Sequence, residues 1–396
     1  MGGGSPGPGG SPVSPSGRPA AGGAPPRVLV YGYYGFRNAG DEAILAGIVR
    51  AFRKVEPGTE FVVVSGKAAE TRRVHGVEAV SRNRIRRIWQ EMGRADLVLA
   101  GGGSLLQDVT GLRSIPFYLG LAVMAMLRGR PVVFHAQGVG PIRRWPGRLL
   151  TRLVASRVAL ITVRDPESGE FLYRLGVRHP RLFVAADAAL ALEPGDPARG
   201  RRLLAAAGVS LPPRDSGGPL IGVSVRPWPG RGEPGWHRLA EALDGLARRT
   251  GGTVVFLPLQ PPADLQVARA VAEAMAEPAA VPHADGWTYR DALDAVAACD
   301  LLVGMRYHAL VFAAMAGVPP VGVSYDPKID AFLRQVGAVT AGSVQDLDPQ
   351  ALVEAGLAAL KGRAVEGRRL RAVTARLAAD AMQAARLALD FVRRRS

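Results

Sequence analysis

The chain has 396 residues, 48% of them hydrophobic, with one cysteine and a formal net charge of +16. A single cysteine excludes an internal disulfide framework and a cysteine-rich metal site, and Cys299, in Val296-Ala297-Ala298-Cys299-Asp300, reads as a small buried residue. The length predicts two domains. The basic balance, nearly all arginine, points to phosphorylated substrates or an anionic membrane surface. Nucleic acid is the weakest of the anionic partners and is not expected, because no RNP, KH, helix-turn-helix or zinc-finger pattern is present.

In chain order, residues 1–26 are Gly, Pro and Ser with scattered Ala and Arg, a tail that cannot bury a core and is predicted to be disordered. It has no apolar h-region, so it is not read as a signal peptide. A strand at Arg27–Gly32 enters the loop 33–42, and a helix is predicted at Ala43–Lys54. Strand 60–65, helix 82–92, strand 96–100 and the turn Gly101-Gly102-Gly103-Ser104 follow. Then come helix 116–127, strand 131–135, helix 146–157 and strand 159–163, which ends at Arg164. The run Ile115–Leu127 is too short and too glycine-broken to span a bilayer, so a cytoplasmic protein is expected.

Residues 196–218 read as a linker, being rich in Pro, Gly and charge. A second series begins at strand 221–225, which ends at Arg226-Pro227-Trp228, and continues with helix 236–250, strand 253–257, helix 265–275 and helix 289–298. Strand 301–303 leads through Gly304 into Met305-Arg306-Tyr307-His308, and strand 318–323 leads to Lys328. A helix from about Gln350 is expected to fold back on the first half. This alternation predicts an α/β protein with two Rossmann-like domains, 27–195 and 219–396, in a GT-B-like arrangement with an interdomain cleft.

The candidate residues stand at the ends of predicted strands, where such folds bind ligands. His308 carries a titratable imidazole beside the fixed cation Arg306 at a helix start, a setting suited to an anionic ligand and to proton transfer. Arg164 and Arg226 can bind carboxylate or phosphate with two parallel hydrogen bonds. Lys328 adds a cation. Asn38 and Asp41 can hydrogen-bond a hydroxylated ligand, as can Gln137, and Gly103 with Ser104 forms a candidate oxyanion or sugar turn. The loop 32–42 fits neither the dinucleotide fingerprint nor the P-loop. His75, His179 and His237 are expected at the surface and His135 in the core. No histidine pair has metal-ligand spacing, so neither metal nor cofactor is implied.

Four blocks together resemble the polysaccharide pyruvyl transferase family, with the CsaB type as the nearest match. They are Gly32-Tyr33-Tyr34-Gly35-Phe36-Arg37-Asn38-Ala39-Gly40-Asp41-Glu42, then Gly101-Gly102-Gly103-Ser104-Leu105-Leu106-Gln107-Asp108, Ala136-Gln137-Gly138-Val139-Gly140-Pro141, and Gly304-Met305-Arg306-Tyr307-His308. The resemblance implies phosphoenolpyruvate as donor and a cyclic pyruvate ketal on a sugar as product. For the CsaB type the implied acceptor is N-acetylmannosamine on an undecaprenyl-diphosphate-linked disaccharide, whose glycan anchors surface-layer proteins at the cell wall. It further implies His308 as the catalytic residue, Arg164 and Lys328 at the donor, and Tyr34 and Phe36 in the N-terminal site motif.

The segment 142–153 mixes Arg, Trp and Leu, the composition of an interfacial helix, so peripheral association with the inner face of the membrane is expected. Two other readings stand beside the pyruvyl transferase. One is a GT-B glycosyltransferase using a nucleotide sugar; the other is a catalytically silent carbohydrate-binding protein, disfavoured by the cost of gathering like charges without a ligand.

Overall fold

The computed structural model describes residues 24–109, 111, 113–213, 217–227 and 233–394. The tail up to residue 23 and Trp228 lie outside them. Val- and Leu-rich runs form short strands buried between helix layers, the environment in which parallel sheets occur. The first sheet holds β1 (Arg27–Tyr31), β2 (Glu60–Ser65), β3 (Glu78–Ser81), β4 (Leu97–Leu106), β5 (Val132–Val139), β6 (Leu160–Val163) and β7 (Leu182–Val184). Its strand order is β3-β2-β1-β4-β5-β6-β7. The second holds β8 (Leu220–Ser224), β9 (Thr253–Phe256), β10 (Ala279–Ala280), β11 (Leu301–Gly304), β12 (Pro320–Ser324) and β13 (Val339–Ser343), in the order β10-β9-β8-β11-β12-β13. Every strand pairing is parallel.

The crossovers of the first half are α1 (Ala39–Val55), α2 (Ala68–His75), α3 (Ile85–Arg94), α4 (Ser114–Leu127), α5 (Trp145–Ala155) and α6 (Pro166–Arg174). A 3-10 helix (Ala188–Ala191) and α7 (Pro197–Ala206) follow, so the stretch expected as a linker contains a helix. In the second half come α8 (Glu233–Thr250), α9 (Ala263–Ala274), α10 (Tyr289–Ala297), α11 (Tyr307–Ala316), α12 (Pro327–Val336), α13 (Pro349–Lys361) and α14 (Arg363–Arg393). The last two replace the single C-terminal helix expected, and α14 runs back against α1 and the 3-10 helix of the first half.

Local chemistry explains where the elements depart from expectation. Helix α1 begins at Ala39 rather than Ala43 because Asn38 caps it, its Oδ1 accepting from Gly40 N at 3.0 Å. The expected turn at Gly101–Ser104 is instead a bent continuation of β4. Gly103 takes φ +80, open to glycine, and the pairing with β5 slips between Gly103 and Leu106. Lys328 sits in the first turn of α12, because Asp326 caps that helix through Lys328 N at 3.1 Å.

One apolar core runs through both halves, from Val28 and Ile44 beneath the first sheet to Leu302, Phe312 and Leu389. At Gly47 of α1 the 3-10 helix comes so close that an added Cβ would lie 1.9 Å from the Ala188 carbonyl oxygen, whereas Gly120 of α4 faces open space. Ala normally improves a helix by about 0.5–1 kcal/mol over Gly. Gly120→Ala is therefore expected to raise the unfolding midpoint. Gly47→Ala should lower stability by about 1–3 kcal/mol through overpacking. A denaturant titration in which Gly47→Ala is neutral would contradict this packing.

Candidate active site

Each sheet reverses its strand order once, between β1 and β4 and between β8 and β11. The segments leaving these strands face one another across a cleft of about 620 Å3. Asn38, Asp41, Gly103, Ser104 and Arg164 line it from the first half; Arg226, Arg306, His308 and Lys328 line it from the second. These switch points are where open α/β sheets bind ligands, and the volume suits a small-molecule site.

At its floor is a buried charge array. Arg164 reaches Asp187 Oδ2 at 3.2 Å, donates to Ser104 Oγ at 3.2 Å and stands over the Tyr307 ring at 4.2 Å. The same Asp187 oxygen lies 3.7 Å from His308 Nε2, an ion-pair separation longer than a hydrogen bond. Burial works to raise the Asp187 carboxyl, but the facing His308 and Arg164 outweigh it and hold it down to about 2. His308 Nε2 is buried with no hydrogen-bond partner. Its other ring nitrogen abuts Gly40, where an added Cβ would lie 2.1 Å from Nδ1, so only glycine fits. Asp41 behaves oppositely to Asp187: desolvation pushes its carboxyl from the ordinary 3.8 up to about 6, against the pull of His308.

The remaining cations divide by partner. Arg306 is gripped by fully buried Asp264, with Nε to Oδ2 at 3.0 Å and a second, shorter bond from Nη2 to Oδ1. Asp264 also accepts from Leu259 N at 3.1 Å and Gln260 N at 2.9 Å, so one carboxylate fixes both the arginine and the loop after β9. Lys328 Nζ lies 3.1 Å from Asp326. Arg226 donates to Tyr325 Oη at 2.6 Å and sits 4.5 Å from that ring's centroid.

Three expected acceptor residues do not line the cleft. Tyr34 is a core residue, 1% exposed, with its hydroxyl beside Gly101. Gln137, also 1% exposed, spends its amide on the Ala100 carbonyl at 2.8 Å. Phe36 stacks on Tyr33 at 4.3 Å, and it is Tyr33 that faces the cleft. His75 is not at the surface as expected: its side chain is 1% exposed, bonded to Glu42 at 2.8 Å and stacked on Tyr289 of the other half. His135 is in the core, and burial lowers its imidazole to about 4.

Sequence reading missed Asp187, Asp264 and Arg82. Arg82 follows β3 and lines the cleft, its guanidinium 4.4 Å from the Phe117 ring. Asp187 follows a strand of only three residues, β7, and Arg82 follows β3, where Glu78 and Ser81 leave just two apolar residues between them. Asp264 lies at a helix start, where a carboxylate reads as a dipole partner.

Known proteins share this architecture. The structure resembles the HepE protein of Anabaena solved with UDP and glucose, with a TM-score of 0.63, 14% identity, and 92% of this chain and 98% of that one covered. It likewise resembles a UDP-GlcNAc 2-epimerase from Neisseria meningitidis bound to UDP-GlcNAc, with a TM-score of 0.62, 11% identity, and 93% and 100% covered. A putative UDP-N-acetylglucosamine 2-epimerase from Listeria monocytogenes gives 0.61, 12%, and 88% and 91%. At these identities the likeness is one of fold, and the fold is GT-B-like with two Rossmann-like domains. No curated protein matches the chain in sequence. A family model for polysaccharide pyruvyl transferase matches residues 38–327 and so spans both walls of the cleft: the chain belongs to the polysaccharide pyruvyl transferase family and is a transferase.

Proposed function

We propose that the enzyme moves the pyruvyl group of phosphoenolpyruvate onto a sugar of a lipid-linked cell-wall polysaccharide precursor, with release of phosphate. The acceptor sugar is N-acetylmannosamine on an undecaprenyl-diphosphate-linked disaccharide, a choice supported by the likeness of the four blocks to the CsaB type. The observation that carries the reading is the gathering of Arg82, Arg164, Arg226, Arg306 and Lys328 around His308 in one cleft. A donor bearing both a carboxylate and a phosphate needs several fixed cations.

The chemistry requires a proton at the donor methylene carbon, C3, and two sugar oxygens at C2. His308 gives the first proton as the first hydroxyl adds to C2, then accepts the proton that this hydroxyl sheds. The C2–O bond to phosphate breaks, and the cleft cations hold the charge on the departing phosphate. The second hydroxyl then adds to C2, closing the ketal, and its proton leaves with the phosphate. No water, oxidant or metal enters the balance. Asp187 stays ionised, orients the imidazole and stabilises its charged form. Asp41, with its raised carboxyl, faces the acceptor hydroxyls together with Asn38, Gly103 and Ser104. The opposite settings of these two carboxyls suit opposite duties.

A second reading is favoured by the fold relatives solved with UDP and glucose or with UDP-GlcNAc: a glycosyltransferase acting on a nucleotide sugar. Phosphate release from phosphoenolpyruvate, with and without the lipid-linked acceptor, separates the two. Acceptor-dependent release with a product about 70 Da heavier, pyruvate less water, is expected. No release with any acceptor, together with tight UDP-sugar binding, would transfer the assignment to the second reading.

His308→Gln is expected to cut turnover by about 10²–10⁴-fold. Asp187→Asn should lower kcat more than it raises KM and should shift the pH profile, which loss of packing alone would not do. Wild-type turnover in His308→Gln removes the acid/base assignment.

Asp41 gives a stability test. Its folded value lies above the unfolded one, 3.8 against about 6, so folding takes up a proton between them and stability falls as pH rises through that window. Asp41→Asn should therefore gain about 1–3 kcal/mol at neutral pH while losing activity, with the gain vanishing near pH ~4. A gain independent of pH would contradict the burial of a charge there.

A further inference from the structure

Among the described residues, no helix is long and apolar enough to cross a membrane, yet one face of the first half is built as though for a lipid surface. Helices α3, α4 and α5 form one layer. Their inner faces share a core that includes Ile88, Leu119 and Val154. The Arg128 guanidinium, just beyond α4, lies 5.1 Å from the Trp89 ring of α3, and Gly147 of α5 closes on Ile115 of α4. The outer faces therefore look out together, and they carry large apolar side chains. Ile85 and Trp89 of α3 are 46% and 36% exposed, Leu127 of α4 is 74% exposed, and Trp145, Leu149 and Leu153 of α5 are 73%, 46% and 45% exposed.

The charge around this apolar face has one sign. Residues 82–94, 113–130 and 142–157 contain thirteen arginines and a single carboxylate, Glu91. That carboxylate is 3% exposed and occupied by Arg27, Arg87 and Arg94, so it does not offset the surface field. Trp and Leu set in an arginine-rich, acid-free surface match the interfacial zone of an anionic leaflet: indole at the headgroups, aliphatic tips beneath, guanidinium on lipid phosphate. A protein partner would have to supply acidic groups around the whole rim as well as a complementary apolar centre. The face also borders the cleft. Ser114, Phe117 and Tyr118 of α4 line the cleft. Asp108, on the segment after β4, accepts from Arg143 N and Arg144 N at 2.9 Å, fixing the start of α5 to that wall.

We propose that the combined outer face of α3, α4 and α5 docks the enzyme on an anionic lipid surface and turns the cleft mouth toward it. This extends the interfacial segment expected at 142–153 to a three-helix surface, and vesicle binding itself does not depend on the pyruvyl-transfer reading. The test is co-sedimentation of the full chain with phosphatidylcholine vesicles, with and without phosphatidylglycerol. The wild type should pellet only with the anionic vesicles and should be released by salt. A Leu127→Ser, Trp145→Ser, Leu149→Ser variant, and separately an Arg144→Glu, Arg148→Glu, Arg152→Glu variant, should each bind about tenfold less. Both should keep the wild-type unfolding midpoint and the wild-type rate of phosphate release with a water-soluble acceptor.

Failure of the wild type to pellet with anionic vesicles, or unchanged binding by the serine variant, overturns the proposal. So does self-association of the wild type that the serine variant abolishes, since that would make the face a protein interface. Vesicle binding without phosphate release would overturn the reaction assignment alone.

Discussion

The structure depends on one electrostatic constraint: six cations, Arg82, Arg113, Arg164, Arg226, Arg306 and Lys328, share one small cleft. Like charges held out of water are costly, and all of these but the exposed Arg113 are accommodated in one of two ways. Arg164, Arg306 and Lys328 are held by carboxylates: Asp187 with Asp165, Asp264, and Asp326. Arg226 and Arg82 lean instead on aromatic faces, those of Tyr325 and Phe117. Among the described residues neither makes an ion pair, so their charge stays available to an anionic ligand, while the rings supply a weaker, sequence-tolerant attraction.

The paired carboxylates are also structural ties. Asp264 holds Arg306 and the backbone at Leu259 and Gln260, and the Leu259 carbonyl accepts from Ala39 N of the other half at 2.8 Å. Asp187 caps the 3-10 helix through Ala189 N at 3.0 Å, and that helix is seated against Gly47 of α1. The position of the imidazole is therefore settled from three sides: by Asp187, by the bare backbone of Gly40, and by the first turn of its own helix. Pre-organisation of this kind is what the acid/base role proposed for His308 requires.

The fold was legible because its signal is additive. Val- and Leu-rich runs alternating with helical stretches specify an α/β chain even when boundaries shift by several residues, as at the start of α1. Cleft residues at the ends of fully buried apolar strands, such as Arg226, Arg306 and His308, could be found in the same way. Tyr33 and Tyr34 show the limit of that approach. They are adjacent, and the chain's path through a loop decides which ring faces the cleft and which enters the core; periodicity does not reach into a loop. Gln137 illustrates a second limit, since the bulge at Ala136, with φ +49, changes the side a residue presents after the strand itself has been placed. Asp187 was hidden for a third reason. Its role arises only when the end of β7 meets the start of α11, a contact between segments more than a hundred residues apart.

Besides an apolar layer private to each sheet, the two sheets share a third core. Apolar side chains from β1, α1, α11 and α14 belong to one continuous cluster, and α14 starts beside the second sheet and ends against the first. A chimaera that took its second half from another member of the fold would have to import matching faces of α10, α11 and α14 along with it. Changes confined to the segments that follow the strands leave this shared core intact, whereas exchange of a whole half cuts through it.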